Sequence, residues 1–311
     1  MKRVLLGLGV ILLALIVGIG IYYVSDSNQR INALQIGGTI VETSAGAVEY
    51  KLEGSSDGFT LLFFHGTPGG YDQGLEAEAG LQTLTISRPG YLGTPLSTGA
   101  TPAEQASAAL ALIDTLEIGK VGVMGASGGG PAAYTFAATY PERTIGLAAM
   151  EAISHSVPAA ELGIPSSDVA FWLMIQSLVL SQDDEGVVKQ IAQNESDRAR
   201  LAEQPETQAE VAGMIWSMWP PSMRKPGFDN DMSQFESLDL PLESIQVPTL
   251  IVHGTKDQSV PYEHAEYAAA RIKGSKLHAV EGAGHMMPFA HEDEVNSAVT
   301  GFFANLGEGR K

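Results

Sequence analysis

Apolar residues change their spacing several times along this chain, and each change marks a different kind of element. The first element is an uninterrupted apolar run from Val4 to Val24, preceded by Lys2 and Arg3 and followed by Asp26. As a helix it is long enough to cross a bilayer of roughly 30 Å, with Tyr22 and Tyr23 placed like interface anchors. A cleaved signal peptide is the competing reading. Its apolar region usually covers about 7–15 residues, and only Gly18–Ile19–Gly20 resembles a cleavage site. The positive charges before the run place the remainder of the chain on the non-cytoplasmic side.

A period of two follows. Thr39–Thr43 and Ala47–Leu52 are β-rich and separated by Ser44–Ala45–Gly46, which predicts a hairpin at a sheet edge. Continuous apolar runs then replace alternation: Thr60–Phe64, Leu84–Ser87, Val121–Gly125 and Ile145–Met150 read as strands buried on both faces. Between them lie helices. Thr101–Pro102–Ala103–Glu104 combines a cap residue, a first-turn proline and a capping-box glutamate, and leads into Gln105–Leu116. Gly128–Tyr140 is a second helix, ended by Pro141. Between about His155 and Gln246 the alternation stops, and Asp168–Leu180, Glu185–Gln193 and Thr207–Trp219 carry helical patterns instead. It resumes with strand Pro248–Val252, helix Tyr262–Ile272, strand Lys276–Val280 and helix Glu292–Phe303. Regular strand–helix alternation implies right-handed crossovers and a mostly parallel sheet covered on both faces, an α/β core with a helical insertion. The predicted organisation is an anchor over 1–25, core over 26–154, cap over 155–247 and core again over 248–311.

Composition narrows the partners. A formal charge of −18 with no basic patch beyond the first residues excludes a phosphate backbone as a favourable surface. The absence of cysteine excludes disulfides, thiolate metal sites and a lipid-modified N-terminal cysteine. No cluster has metal-ligand spacing, so neither metal nor organic cofactor is expected.

The chemistry concentrates where strands end. Gly125–Ala126–Ser127–Gly128–Gly129 fits G-x-S-x-G, a weak string alone, but a buried strand runs into it and a helix out of it. In such a turn flanking positions accept only small side chains, so Gly125 and Gly129 would lift the Ser127 hydroxyl clear as a nucleophile. A serine needs a base. Of seven histidines, His285 alone sits in a flexible loop after a late strand, Gly282–Pro288. His155, His264, His278 and His291 read as surface or packing residues, and His253 as a strand-end brace for the loop that follows it. The acid that orients the base is expected to be Asp257, in His253–Pro261, with Glu151 at the end of Ile145–Met150 as the alternative. Backbone N–H groups of Gly128 and of Thr67 would hold a developing oxyanion, since Pro68 has no N–H; His65 and Gly66 would shape that loop.

These motifs together resemble the α/β-hydrolase superfamily, from about Thr39 onward: the H-G-x-P-G loop at His65, Arg88–Pro89–Gly90–Tyr91, the Ser127 elbow, the Asp257 loop and Gly282–Ala283–Gly284–His285. The resemblance implies an eight-stranded sheet with a lid inserted after the sixth strand. Two positions depart from the family pattern: Ser87 stands where aspartate is frequent, and Leu92 interrupts the usual second glycine. The aromatic and methionine content of the insertion favours an apolar pocket, and so an apolar carboxylic ester as the small-molecule substrate. A proline-iminopeptidase-like aminopeptidase and a non-catalytic ligand-binding protein on the same fold are the alternatives. The peptidase family generally carries tryptophan after the nucleophile, where this chain has Gly128.

Overall fold

The hairpin near the N-terminus consists of β1 (Thr39–Thr43) and β2 (Gly46–Gly54), paired antiparallel, with Gly46 at a φ of 116° that a Cβ would disfavour. The following strands are β3 (Phe59–Phe64), β4 (Leu81–Ile86), β5 (Val121–Ala126), β6 (Thr144–Met150), β7 (Thr249–Gly254) and β8 (Lys276–Val280). In the computed structural model, which describes residues 2–55, 59–74, 81–158, 165–180, 192 and 194–308, they form one sheet ordered β1-β2-β4-β3-β5-β6-β7-β8. All pairings from β4 to β8 are parallel, so the C-terminal ends of β3, β5, β6, β7 and β8 open on a single edge.

The continuous apolar runs follow from burial on both faces. Along β3, Leu62 and Phe64 point into one core with Leu112 and Phe136, while Leu61 and Phe63 point into another with Val299 and Phe303. Each such side chain contributes about 1.5–3 kcal/mol by leaving water. The first core is covered by α2 (Pro102–Thr115) and α3 (Gly130–Thr139), together with the helix Glu263–Arg271; the second is covered by the helix Glu292–Glu308. The capping box at Thr101 forms as its sequence predicts: the Thr101 hydroxyl accepts from the Glu104 N–H, and the Glu104 carboxylate accepts from the Thr101 N–H at 2.9 Å.

Between β6 and β7, among the described residues, four helices sit over the strand ends: α4 (Asp168–Leu180), α5 (Glu195–Ala202), α6 (Pro205–Trp216) and α7 (Lys225–Phe235). Helix α6 ends at Trp216, short of the expected Trp219, and the expected helix Glu185–Gln193 lies outside the described residues. Helix α5 lacks an apolar stripe that sequence alone would flag, whereas α7 carries Phe228, Met232 and Phe235 at helical spacing, a pattern that the sequence reading passed over. Helix α5 is started by Asn194, whose side chain accepts the Asp197 N–H at 2.8 Å. Nor does the N-terminal helix stop where the apolar run does. Helix α1 spans Lys2–Gly37, and beyond Val24 it packs on the cap.

Candidate active site

Strand β5 delivers Ser127 to the open edge in a strained turn: its φ of 49° lies in the left-handed region that side chains with a Cβ rarely adopt. The surrounding glycines are required sterically. A Cβ on Gly129 would overlap the carbonyl oxygens of Phe64 and His65, and one on Gly125 would overlap the Ala133 side chain. Gly66 approaches Ser127 closely enough that a Cβ there would lie 3.6 Å from the Ser127 Cβ. The turn therefore packs directly against the loop that follows β3.

His285 and Asp257 meet at the other end of the edge, with His285 Nδ1 2.7 Å from Asp257 Oδ2. Asp257 Oδ1 accepts the N–H groups of Ser259 and Val260 at 2.8 and 2.9 Å. Burial pushes the Asp257 carboxyl up, but hydrogen bonds from His253 and His285 outweigh it and hold the carboxyl well below its usual range. An ionised Asp257 keeps the proton on His285 Nδ1, which leaves Nε2 free to accept another. His253 braces this loop through Nε2, 2.8 Å from the Val260 carbonyl.

Strand β6 connects the two halves. The Ser127 carbonyl accepts the Ile153 N–H at 3.0 Å, and Glu151, two residues earlier, has its Oε2 3.9 Å from His285 Nδ1. Glu151 is itself at a φ of 43°, and its Oε2 has no hydrogen-bond partner among the described residues. Burial pushes the Glu151 carboxyl up to about 8. Burial lowers His285, whereas Glu151 and Asp257 raise it, and the net direction is upward. The two carboxylates and His285 bring potential ligand atoms within 4.8 Å of one another, the one such group among the described residues, although Asp257 already engages His285 Nδ1. The Ser127 hydroxyl makes no hydrogen bond to a described residue; contacts of this kind tighten when substrate binds.

Thr67 faces Gly128 across the turn: a Cβ on Gly128 would overlap the Thr67 hydroxyl and come within 3.0 Å of Phe235. As the second residue of a helical turn, Gly128 has an N–H without an intrahelical acceptor. His65 is fully buried, its Nε2 accepting the Arg88 N–H at 3.0 Å and its Nδ1 2.7 Å from the Gly66 carbonyl. Burial and the neighbouring Arg88 lower its pKa well below the usual value, so it is a neutral shaping residue.

Two charged residues of the insertion, neither evident from sequence, hold these loops. Asp231 on α7 accepts from Arg88 Nη1 at 2.9 Å and Nη2 at 2.6 Å, from Tyr91 Oη at 2.6 Å and from Thr67 Oγ1 at 2.5 Å. Asp197 on α5 accepts the N–H of Gly284, the residue before His285, at 2.9 Å and faces His291 Nε2 at 3.4 Å. His291 thus packs behind the base, and His264 is stacked on His155 at 3.8 Å. His278 is exposed and pairs with Glu294. The two departures from pattern also have partners. The Ser87 hydroxyl donates to Glu49 at 2.7 Å, and Leu92, at a φ of 48°, donates its N–H to the Met223 carbonyl of the cap at 2.8 Å.

Comparison with known proteins agrees with this architecture. A 2-hydroxy-6-oxononadienedioate/2-hydroxy-6-oxononatrienedioate hydrolase of Pseudomonas putida is 26% identical over 79% of this chain and 88% of its own length. Among solved structures, an alpha/beta hydrolase fold protein from Nakamurella multipartita is 30% identical with a TM-score of 0.74, covering 87% of this chain and 98% of that one. A thermophilic esterase from Thermogutta terrifontis shares the fold at 19% identity, with a TM-score of 0.60 and coverage of 87% and 99%. The sequence profile of the alpha/beta hydrolase family matches residues 61–298, and the chain belongs to that family.

Proposed function

We propose that this hydrolase is a membrane-anchored serine enzyme that cleaves apolar carboxylic esters through an acyl-enzyme. Ser127 Oγ adds to the ester carbonyl carbon while its proton passes to His285 Nε2, and the N–H groups of Thr67 and Gly128 hold the oxyanion. Collapse expels the alcohol, which takes the proton from His285. Water then repeats the sequence and releases the acid. The observation that carries this reading is the 2.7 Å bond between His285 and the buried Asp257, beside the β6 loop that also holds Ser127.

The substrate class rests on the pocket beside the oxyanion loop, which is lined by Pro68, Met218, Pro221 and Phe228. Its two cations are already matched, Arg224 by Asp72 at 2.7 Å and Lys225 by Asp229 at 2.7 Å. Among the described lining residues no free cation remains for a substrate carboxylate, which favours an uncharged ester. The peptidase alternative loses ground at Gly128, where Thr67 and Phe235 leave no room for the tryptophan of that family. The anchor reading rests on the exposed apolar side chains from Leu5 to Val24, and retention of α1 is supported by its unbroken course to Gly37. Lys2 and Arg3 then place the hydrolase domain on the non-cytoplasmic side, so protease should reach it in intact cells and spare it in inverted vesicles.

The deciding experiment combines fluorophosphonate labelling with turnover of p-nitrophenyl esters and proline arylamides. Ser127→Ala should abolish labelling and reduce ester turnover by about 10³-fold or more while unfolding normally. Equal turnover by the variant overturns the assignment, and turnover of arylamides alone moves the activity to peptides.

A further inference from the structure

Past the apolar run, α1 does not swing free. The rings of Tyr22 and Tyr23 each meet Trp172 of α4 edge-on at 5.3 Å, and Asp26 accepts the Trp172 indole N–H at 2.6 Å. One turn later the Arg30 guanidinium lies 3.4 Å from the centre of the Trp216 ring on α6. Tyr23 and Ile31 pack on the cap cluster around Phe171 and Trp219, and the Leu34 carbonyl accepts from Tyr71 at 2.6 Å. The contacts run along one continuous helix, so no hinge separates the exposed apolar segment from the cap.

This docking fixes the height of α4. Trp172 touches the tyrosines that close the apolar run, which puts the turn of α4 around Trp172 within about one helical turn, some 5 Å, of the level where that run ends. On the outer side of α4, Val169 and Leu173 are spaced one turn apart and each is 44% exposed. Asp168 at its first position is the only charge in α4. The pocket beside the oxyanion loop borders the same helix, being lined in part by Pro165 and Ser166, which lie three and two residues before Asp168.

We propose that α4 lies on the bilayer surface with Val169 and Leu173 among the lipid headgroups and upper acyl chains, so that the pocket receives its apolar substrate from lipid. The bilayer is chosen as occupant because α1, which carries the apolar run, is continuous with the docked segment. The inference rests on the reading of α1 as a membrane span. A charge of −18 works against attraction to anionic lipid, so the contact depends on the tether and on apolar burial and should form on zwitterionic membranes.

The absence of cysteine makes a single labelling site possible in the full-length chain. Leu173→Cys and, as a control, Lys120→Cys are labelled with an environment-sensitive fluorophore and reconstituted into phosphatidylcholine vesicles. Lys120 is exposed and precedes β5, at the sheet edge opposite Ser127. Nitroxide-bearing lipid should quench the label at 173 at least about threefold more than at 120, with a blue-shifted emission. Equal quenching in chains that float with the vesicles overturns the proposal while leaving the anchor intact. Failure to float removes the anchor, and the proposal with it. Self-quenching at 173 that grows with protein-to-lipid ratio assigns the face to a second copy and also overturns it. In a second arm, Val169→Glu with Leu173→Glu should lower turnover of a vesicle-embedded long-chain ester about fivefold and leave a soluble short-chain ester within about twofold. Absence of any ester turnover in the parent chain refutes the assigned reaction but leaves the quenching result standing.

Discussion

Removing Asp231 leaves Arg88 as an unmatched charge in the interior, and the cost can be worked from the contacts. Arg88 and Asp231 are 1% and 2% exposed, and the carboxylate accepts both guanidinium nitrogens as well as Tyr91 and Thr67. Burial alone would lower the Arg88 pKa, yet Asp231 raises it overall, so the guanidinium stays charged in the folded chain. Asp231→Ala strands the guanidinium with only the neutral acceptors of His65, Gly66, Thr67 and Gln105. Breaking a buried ion pair from one side costs about 3–5 kcal/mol. At about 2–4 °C per kcal/mol for a domain of this size class, the melting temperature should fall by about 6–20 °C. Calorimetry and urea unfolding of wild type, Asp231→Ala and the double variant Arg88→Met/Asp231→Leu measure this. The double variant should recover most of the loss, because neither charge is then left buried. A single variant within about 1 kcal/mol of wild type refutes the reasoning, as does a double variant no better than the single.

Other substitutions probe other contacts. Glu151 binds its proton more tightly in the folded chain, so its contribution is complete below about pH 4.5 and is lost as pH rises through 8, at up to about 1.4 kcal/mol per unit. Glu151→Gln should therefore gain stability relative to wild type between pH 5 and 9, and stability curves that run parallel over that range would refute the assignment. Asp197→Ala removes the acceptor for the Gly284 N–H beside the base and should lower kcat about tenfold or more with KM little changed, whereas wild-type kcat would reduce Asp197 to a packing role. Gly128→Ala pushes a methyl into Thr67 and should cost about 10²-fold in kcat by displacing an oxyanion donor, with near-wild-type activity speaking against that hole.

What could be read from the sequence follows the range of the forces involved. The β3 run and the Ser127 turn were legible because their causes are local: burial on both faces writes an unbroken apolar string, and a crowded turn admits only small residues beside the serine. Asp257 and His285 were legible as loop residues after strands, and Glu151 stood as the alternative acid because it ends β6. Asp231 was not legible. Its partner Arg88 lies 143 positions away, and α7 has a mixed surface in which only Gly227, Asp231 and Phe235 are buried. Helix α1 misled in the same way past Val24, since Ser25–Gly37 reads as polar until the cap supplies Trp172 and Trp216 as its buried side.

The burial of two charges where the cap meets the loop after β3 is expected to position that loop rather than to add stability. A well-packed apolar pair of similar volume would hold the cap as firmly or more so, because it avoids the desolvation of both ions. What an apolar pair lacks is direction. Asp231 accepts from Thr67, Arg88 and Tyr91 at once, and each acceptor angle restricts where the loop bearing the Thr67 N–H can sit relative to Gly128. The two contributions separate in Arg88→Met/Asp231→Leu, which should unfold near the wild-type temperature yet turn over ester more slowly. A double variant both stable and fully active would leave the buried pair without a catalytic reason to exist, and the positioning of Thr67 would have to come from the loop itself.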